Sequence, residues 1–331
     1  MKRLIAEFEA QSFTQIIFPP KESDWSEYLK EAEENFTNII NAIIKYQKCL
    51  VICDDLYRVE SRFEMHENLY LVEQITNDSW ARDCSALCVQ NGDDIELLDF
   101  TFTGWGSKFE ARKDNAMSCA IAKNYSKHLK TIDIILEGGA VESDGAGIIL
   151  TTSECMLNPN RNTNLSIEET NAILKEAFGA SKILYLNHGY LAGDDTDSHI
   201  DTLARIIAKD AIMYIKCDDT DDEHYEELRL MQKELEAISK EHGFKLIALP
   251  MSSPVYFEGE RLPATYANFL FVNGAVLVPV YGVKEDEEAL TIFRETFPER
   301  DIVAIDCRVL IRQHGSLHCV TMNFAKGVAL I

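Results

Sequence analysis

A cysteine near the end of the chain, with a histidine and carboxylates upstream, provides the groups needed for nucleophilic chemistry. Cys319 supplies a thiol, His199 an imidazole, and Asp83 and Asp201 two carboxylates. A thiol attacks electrophilic carbon, an imidazole moves protons, and paired carboxylates hold and orient a cation. Together these residue types suit attack on the carbon of a guanidinium group.

Each candidate also has a structural explanation. Free cysteines are usually small buried packing residues, and a single histidine is more often a hydrogen-bonded core residue. Asp83 follows Arg82, so it could be one half of an ordinary ion pair. Trp80 and Trp105 would normally be read as core aromatics. The residue types alone therefore do not determine the chemistry. It depends on whether the secondary-structure elements bring these side chains together.

Composition limits the classes of partner. The 331 residues include 32 Lys and Arg against 55 Asp and Glu, for a net charge of −23. This charge repels nucleic acid and anionic membrane surfaces and favours small cations. The first residues reach an acidic side chain before a signal-peptide core can form, and no stretch is long enough to span a bilayer. We expect a cytoplasmic protein whose nine cysteines are reduced thiols.

The order strand, turn, strand, helix and strand recurs along the chain. Dipeptides typical of tight hairpins stand between apolar runs at Asn91-Gly92, Asp144-Gly145 and Asn273-Gly274. The capping box of Ser166 and Glu169 marks a helix start after the second hairpin. The helices and third strands predicted for these units are 116–127 with 132–136, a helix from 166 with 183–186, and 286–297 with 302–305.

Two further units are predicted less directly. The fourth has strands 201–207 and 212–216, helix 224–242 and strand 245–249. The fifth joins the chain ends, with strands 317–322 and 328–331, helix 24–46 and strand 49–53. Closure by both termini removes exposed sheet edges. The sequence thus predicts one α/β domain over residues 1–331, a five-bladed pseudo-symmetric α/β-propeller of ββαβ units.

The candidate residues fall at equivalent places in these units. Asp83, Glu137, His199 with Asp201, and Cys319 each stand at the opening of a different first strand. The fifth opening lies at 264–268 and offers Tyr266 or Asn268. Pseudo-symmetry predicts that all five openings meet at one end of the central axis. On a strand, the two-residue spacing of 199 and 201 would put both side chains on one face.

With these residues placed, the chain resembles the agmatine deiminases of the guanidine-modifying superfamily, which also includes arginine deiminases, peptidylarginine deiminases and amidinotransferases. The matching runs span nearly the whole chain: Asn77-Asp78-Ser79-Trp80-Ala81-Arg82-Asp83, Gly104-Trp105-Gly106, Glu137-Gly138-Gly139, Leu157-Asn158-Pro159-Asn160-Arg161-Asn162, the run from Gly193 to Asp201, Tyr266-Ala267-Asn268-Phe269, and His318-Cys319. One run departs from the family pattern. Residues 312–316 lack the usual glycine-rich sequence, so we expect an altered pocket wall beside Cys319.

The resemblance implies the five-bladed propeller and hydrolysis of agmatine to N-carbamoylputrescine and ammonia, within polyamine synthesis and without a metal or cofactor. It puts Cys319, His199, Asp83 and Asp201 in the catalytic positions, with a covalent thiouronium on the cysteine. Glu137 is expected to orient His199.

The expected substrate is a small cationic guanidine. The predicted substrate-binding residues are Trp80, Trp105, Asp195, Asp83 and Asp201. The aromatic rings would line the path of the alkyl chain, and Asp195 would meet the ammonium end. His314 and His318 are given no role, and the sequence permits a homo-oligomer without indicating one.

Other functions compete with this reading. A metallohydrolase could use Asp83, Asp194, His199 and Asp201 as ligands. A binding module could share the scaffold without catalysis. Nearer alternatives are amidino transfer and deimination of arginine or peptidyl-arginine. For free arginine, Arg161 or Arg312 would clamp the substrate carboxylate.

Overall fold

Tight turns define the repeating part of the fold. The computed structural model describes residues 2–331. All three predicted hairpins are present, and Gly92, Gly145 and Gly274 take φ angles of 63°, 68° and 81°. Glycine adopts such angles without steric cost. Each turn joins two antiparallel strands, so the predicted hairpins are confirmed.

Five of the six sheets in the described chain share one connectivity. An antiparallel pair is followed by a helix and by a strand parallel to the second one. The first unit contains Leu87–Asn91, Asp94–Thr101, helix Arg112–Ile121 and Leu129–Ile135. The second contains Glu142–Ser143, Ile148–Thr152, helix Ile167–Phe178 and Lys182–Leu186. The third contains Ala204–Ala208, Ala211–Lys216, helix Tyr225–His242 and Lys245–Pro250. The fourth contains Leu270–Val272, Ala275–Val280, helix Asp286–Thr296 and Asp301–Asp306.

The fifth unit joins the two ends of the chain, as predicted, but through different strands. Thr321–Ala325 pairs with Gln11–Ile17, which is parallel to Lys48–Cys53 across helix Leu29–Ile43. The strand predicted at 328–331 is wrong, because Leu330 makes only an isolated bridge. Gln11–Ile17 takes its place; almost entirely buried, it gives no hairpin signal of its own.

The remaining elements are short. Strand Lys2–Leu4 extends the first sheet, and Leu69–Glu73 extends the fifth. The other strands are the hairpin pair Tyr256–Phe257 and Glu260–Arg261. The other helices are Leu56–Glu60, Ala81–Cys84, Gly104–Ser107 and Ser153–Met156. The 3₁₀ helices are Asp24–Tyr28, Ala122–Asn124, Gly138–Ala140, Ile200–Thr202 and Leu310–Gln313.

Amphipathic helices cover the sheets and build the core. Helix Leu29–Ile43 buries Phe36, Ile39, Ile40 and Ile43 at i, i+3, i+4 and i+7. Helix Ile167–Phe178 begins with the predicted capping box of Ser166 and Glu169. Among residues 2–331, no helix combines the length and apolar character needed to cross a membrane.

The segment before each first strand carries the candidate residues. Asp83, Glu137, Asn268 and Cys319 precede strands of the first, second, fourth and fifth units. His199 and Asp201 precede the third, but the expectation that they lie on a strand is wrong. Asp201 belongs to the 3₁₀ turn Ile200–Thr202, His199 immediately precedes that turn, and the strand starts only at Ala204.

Candidate active site

The Cys319 thiol is buried between two polar side chains. Its Sγ lies 3.4 Å from Asn268 Oδ1 and 3.8 Å from Asp201 Oδ2. Asn268 Oδ1 also accepts the backbone N–H groups of His318 and Cys319 at 2.8 and 3.3 Å. Burial, together with the Asp201 and Asp83 carboxylates, raises the pKa of the Cys319 thiol well above its usual value. The free protein therefore holds a neutral thiol that donates to its neighbours.

Asp83 lies close to Cys319 because their backbones are linked. Helix Ala81–Cys84 carries Asp83, and the Arg82 N–H donates to the Cys319 carbonyl at 3.1 Å. Asp83 Oδ2 accepts from Trp105 Nε1, and Oδ1 from the Gly139 N–H, each at 2.9 Å. Burial and the Asp201 charge raise the pKa of Asp83 to about 8. Both oxygens thus already have one donor before any substrate binds.

The geometry of the site explains why glycine ends the run Glu137-Gly138-Gly139. A Cβ on Gly139 would lie 2.7 Å from His199 Nδ1, 2.8 Å from Asp83 Oδ1 and 3.1 Å from Asp201 Oδ2. Three predicted catalytic side chains therefore converge on a point that only glycine leaves free. His199 Nδ1 is itself 3.6 Å from Asp83 Oδ1. Burial lowers the pKa of His199 to about 3, so its imidazole is neutral.

Asp201 is held by a residue that had been given no role. His318 Nδ1 lies 2.7 Å from Asp201 Oδ2, whereas Oδ1 is buried and unpartnered among the described residues. Burial acts to raise the pKa of Asp201, but the hydrogen bond from His318, together with nearby positive charge including that of Arg205, holds that pKa below its usual value.

Glu137 contacts Arg161 more closely than His199. Arg161 Nε donates to both Glu137 oxygens at 3.0 and 2.9 Å, whereas His199 Nε2 lies 4.0 Å from the carboxylate. His199 Nε2 is buried and has no partner within residues 2–331. The predicted orientation of His199 by Glu137 therefore lacks a direct hydrogen bond in this structure.

Two groups of side chains are candidates for metal ligands, and they differ in the contacts that their carboxylates already make. Ligand atoms of Glu137, Cys155 and His199 lie within 4.8 Å of one another, but Arg161 already pairs with that carboxylate. The ligand set considered from sequence included Asp194. Its carboxylate instead accepts from Thr196 and the Ser198 N–H within its own loop. Asp194 therefore shapes the segment that leads into His199.

Cys319 and Asp83 line a cavity of about 330 Å³. Trp80, Trp105 and Asp195, all predicted to bind substrate, line it, while His199, Asp201 and Glu137 lie outside its lining. Its other lining residues are Asp24, Asp78, Phe109, Thr196, Gln313, His314 and Gly315.

Both tryptophans are held in fixed positions. Trp80 Nε1 donates to Asp78 Oδ2 at 3.1 Å, and a Cβ on Gly315 would come within 2.2 Å of the Trp80 ring. Trp105 has φ 53° and ψ 53°, in the left-handed region that non-glycine residues rarely adopt. Such local strain clusters at binding and catalytic sites. Here it directs the Trp105 indole N–H to Asp83.

The altered run 312–316 forms part of the cavity wall. Gln313, His314 and Gly315 line the cavity, and His314 Nδ1 lies 2.7 Å from the Gly193 carbonyl oxygen. His314 has φ 65°. The expected pocket wall at 312–316 is thus present. No sequence pattern marked Asp24 or Phe109, because loops far apart in sequence bring them together. The adjacency of His318 to Cys319 was visible but carried no partner information.

An α/β fold with a thiol and a carboxylate lining one cavity, and an imidazole and a second carboxylate packed beside them, is typical of guanidine-modifying proteins. The comparisons with known proteins agree with this class. The chain belongs to the Porphyromonas-type peptidyl-arginine deiminase family, whose model matches residues 3–324.

Relatives within that family extend over nearly the whole chain. A Vibrio parahaemolyticus protein named "Putative agmatine deiminase" is 31% identical over 96% of this chain and 95% of its own length. The solved C. jejuni agmatine deiminase, a cysteine-to-serine variant with substrate bound, is 40% identical. It covers 99% of this chain and 97% of its own, with a TM-score of 0.94. An Enterococcus faecalis agmatine deiminase is 27% identical over 98% and 96%, with a TM-score of 0.90. The resemblance inferred from sequence is confirmed.

Proposed function

We propose that this protein is an agmatine deiminase, which hydrolyses agmatine to N-carbamoylputrescine and ammonia. The observation that carries the proposal is the cavity itself, which is lined by Cys319 and Asp83 together with further aromatic and acidic side chains. The named activities of the similar proteins from C. jejuni and E. faecalis support it. The place in polyamine synthesis follows from this substrate and product.

The charges of the cavity favour a substrate with a cation at each end. Asp24, Asp78 and Asp195 line it together with Asp83. Burial and the neighbouring Asp194 raise the pKa of Asp195 to about 6, so it is mostly ionised at neutral pH. An ammonium is stabilised there, whereas a carboxylate would be repelled and left unpaired.

The arginines considered as carboxylate clamps are already engaged. Arg161 pairs with Glu137 through Nε and with Asp197 through Nη1, and its Nη2 donates to the Thr196 carbonyl. Arg312 pairs with Glu31 at 2.9 Å and lies over the rings of Tyr28 and Phe257. Neither is free to bind the carboxylate of arginine, which favours agmatine over arginine as substrate.

The first half of the reaction forms a covalent intermediate. The guanidinium donates N–H bonds to Asp83 and to the unpartnered Oδ1 of Asp201, and its charge favours ionisation of Cys319. The thiol proton passes to His199 as sulfur bonds to the guanidinium carbon. His199 then gives that proton to one amino group, the C–N bond breaks, and ammonia leaves.

The second half releases the product. His199, neutral again, removes a proton from water as the oxygen bonds to the S-alkylthiouronium carbon. The tetrahedral species collapses, the C–S bond breaks, and the ureido product leaves. His199 returns its proton to the sulfur and restores the thiol of Cys319. The hydroxyl proton lost on collapse protonates the released ammonia, so the cycle converts one guanidinium and one water to the ureido product and ammonium. The Glu137 carboxylate would stabilise His199 from the Nε2 side of the ring while it also pairs with Arg161.

We assign the fold to a single five-bladed α/β-propeller domain over residues 1–331. The support is the fivefold recurrence of one sheet connectivity and the position of a candidate residue before each first strand. In this architecture the openings of the five units meet at one end of the axis. The cytoplasmic location and any homo-oligomer stay predictions.

A panel of guanidines tests this function. Purified protein is incubated separately with agmatine, arginine and a blocked arginine peptide, and ammonia and ureido products are measured by mass spectrometry. We expect N-carbamoylputrescine from agmatine and at least a ~1000-fold lower efficiency on arginine. Comparable efficiencies would refute the substrate assignment. Loss of activity with a chelator, restored by a divalent metal, would favour the metallohydrolase.

A further inference from the structure

We propose that His318 is a positioning residue for this reaction: it holds Oδ2 of Asp201 so that Oδ1 faces the substrate guanidinium. The inference rests on the proposed function and goes beyond it, because it gives the residue beside the nucleophile a task distinct from nucleophilic or acid–base catalysis. A positioning role requires a fixed ring, a specific contact and a free substrate-facing atom.

The contact and the free atom are both present. His318 is buried, and its Nδ1 lies 2.7 Å from Asp201 Oδ2. The geometry requires Nδ1 to carry the proton, since a carboxylate oxygen can only accept. Asp201 Oδ1 has no partner in the described chain, although it is buried. A buried carboxylate oxygen without a donor is costly, and an incoming guanidinium N–H would satisfy it.

The ring of His318 is fixed from its other side. Nε2 lies 2.5 Å from Glu7 Oε2 and 2.9 Å from Arg205 Nη2. Arg205 is itself held by Glu142 and by the carbonyl of Phe269 at 2.7 Å. The imidazole therefore cannot rotate without breaking a buried ionic network that reaches the start of the chain.

The backbone of His318 ties Asp201 to the nucleophile. The His318 N–H lies 2.8 Å from Asn268 Oδ1, the same atom that is 3.4 Å from Cys319 Sγ. A shift of His318 would thus move Asp201 and Cys319 together. Guanidinium carbon and sulfur must meet at a defined angle, so even small displacements lower the rate.

The contact also determines the charge of Asp201. Two buried carboxylates, Asp83 and Asp201, surround one site and disfavour each other's ionisation. An N–H donor on Asp201 favours its ionised form. The titratable or charged groups around Asp201 are Asp83, His199, Arg205, His318 and Cys319. Removing the His318 donor should therefore shift the ionisation of Asp201 to higher pH.

Two variants separate positioning from packing. His318→Asn keeps an amide donor near the position of Nδ1, whereas His318→Leu fills the space without a donor. For agmatine, we expect His318→Leu to lower kcat/KM at pH 7 by ~100-fold and to move the acidic limb of its pH profile upward by about one unit. We expect the kcat/KM of His318→Asn to stay within ~10-fold of the wild-type value. The acidic limb of its pH profile should stay near the wild-type position. Equal losses in both variants with an unchanged limb would overturn the proposal.

A second measurement applies if His318→Leu does not fold. In the Cys319→Ala protein, the Nδ1 proton of ¹⁵N-labelled histidine should give a downfield resonance that couples to His318 and moves when agmatine is added. Absence of this resonance, or no movement at saturating agmatine, would overturn the proposal. The two hypotheses fail differently: a wild-type protein that is inactive on agmatine contradicts the function, whereas an active His318→Leu protein with the original pH profile contradicts only the positioning role.

Discussion

At the residue scale, the environment of Cys319 opposes a free thiolate. Burial and two nearby carboxylates raise the pKa of the thiol, and burial lowers that of His199 to about 3. A neutral thiol and a neutral imidazole thus coexist until a cation arrives. In the proposed mechanism, a positive guanidinium reverses the balance and links ionisation of the Cys319 thiol to substrate binding. Anionic or neutral compounds would not trigger that ionisation.

The first prediction concerns the nucleophile. Cys319→Ala should lower kcat on agmatine by at least ~10⁴-fold because no covalent intermediate can form. Agmatine binding, measured by calorimetry, should persist because the carboxylates remain. Cys119→Ala changes an exposed thiol and should leave activity unchanged. A Cys319→Ala protein with a tenth of wild-type activity would exclude the assigned nucleophile.

The second prediction distinguishes site carboxylates from surface carboxylates. Asp83→Asn and Asp201→Asn should each lower kcat/KM by ~100-fold or more, because they remove a carboxyl group whose ionised form, favoured by the bound cation, orients the guanidinium. Asp218→Asn is the matched control, since that side chain is 79% exposed. Similar losses in all three variants would mean that overall acidity, rather than a site, governs binding.

The third prediction is a pH dependence of stability. The folded-state pKa of Asp83 is raised to about 8, so the contribution of Asp83 to stability should fall as pH rises from about 4 towards 8. Asp83→Asn has no such group to ionise. The melting temperature of Asp83→Asn minus that of the wild type should therefore increase by a few degrees between pH 5 and pH 8. This increase is expected even though the variant has low activity. A constant difference across that range would contradict the burial cost assigned to Asp83.

At the element scale, short turns before the strands build the site. Gly139 lies in the 3₁₀ turn Gly138–Ala140, and its missing side chain leaves the space where His199, Asp83 and Asp201 converge. Gly315 likewise leaves room for the Trp80 ring. The strands themselves serve as supports that bring these turns together.

The fourth prediction tests this use of space. Gly139→Ala should lower kcat/KM by ~100-fold or more, because a Cβ 2.8 Å from Asp83 Oδ1 must displace the side chains proposed to be catalytic. Gly243→Ala is the control: it is strained at φ 80° but has nothing within 4 Å of the added Cβ. Both variants lose a glycine, and only the first should lose activity. Kinetics alongside melting temperatures would separate the two effects.

The sequence predicted the parts of the fold that depend on local signals. Hairpin dipeptides and helix periodicity predicted four units, although the first helix, predicted at 116–127, is observed at Arg112–Ile121. The candidate residues, chosen by their types, fell at the openings of the units. The second strand of the fifth unit was missed because Gln11–Ile17 pairs with a strand about 300 residues away. His318 was missed for a similar reason: its value depends on Asp201 and Glu7, and neither contact leaves a local pattern.

At the scale of the whole molecule, charge and closure act together. Strands from both ends complete the fifth unit, so the Glu7 segment contacts His318 and Arg205 beside the site. The net charge of −23 surrounds a cavity that itself contains carboxylates. Such a field raises the local concentration of small cations.

The fifth prediction follows from that field. KM for agmatine should rise ~3-fold or more between 0.02 and 0.5 M monovalent salt, because screening weakens long-range attraction of the dication. kcat should change much less, since the buried contacts with bound substrate are poorly screened. Steady-state kinetics at fixed pH measure both. A KM independent of salt would mean that the overall charge serves solubility alone.

The most direct test of the account is to trap the intermediate. Wild-type protein mixed with agmatine and quenched in acid within milliseconds should carry an adduct with the mass of agmatine less ammonia. Peptide mapping should place that adduct on Cys319, and its formation and decay should match the rate of turnover. Turnover of agmatine with no adduct at any quench time, or with the adduct on another cysteine such as Cys155, would contradict the central claim.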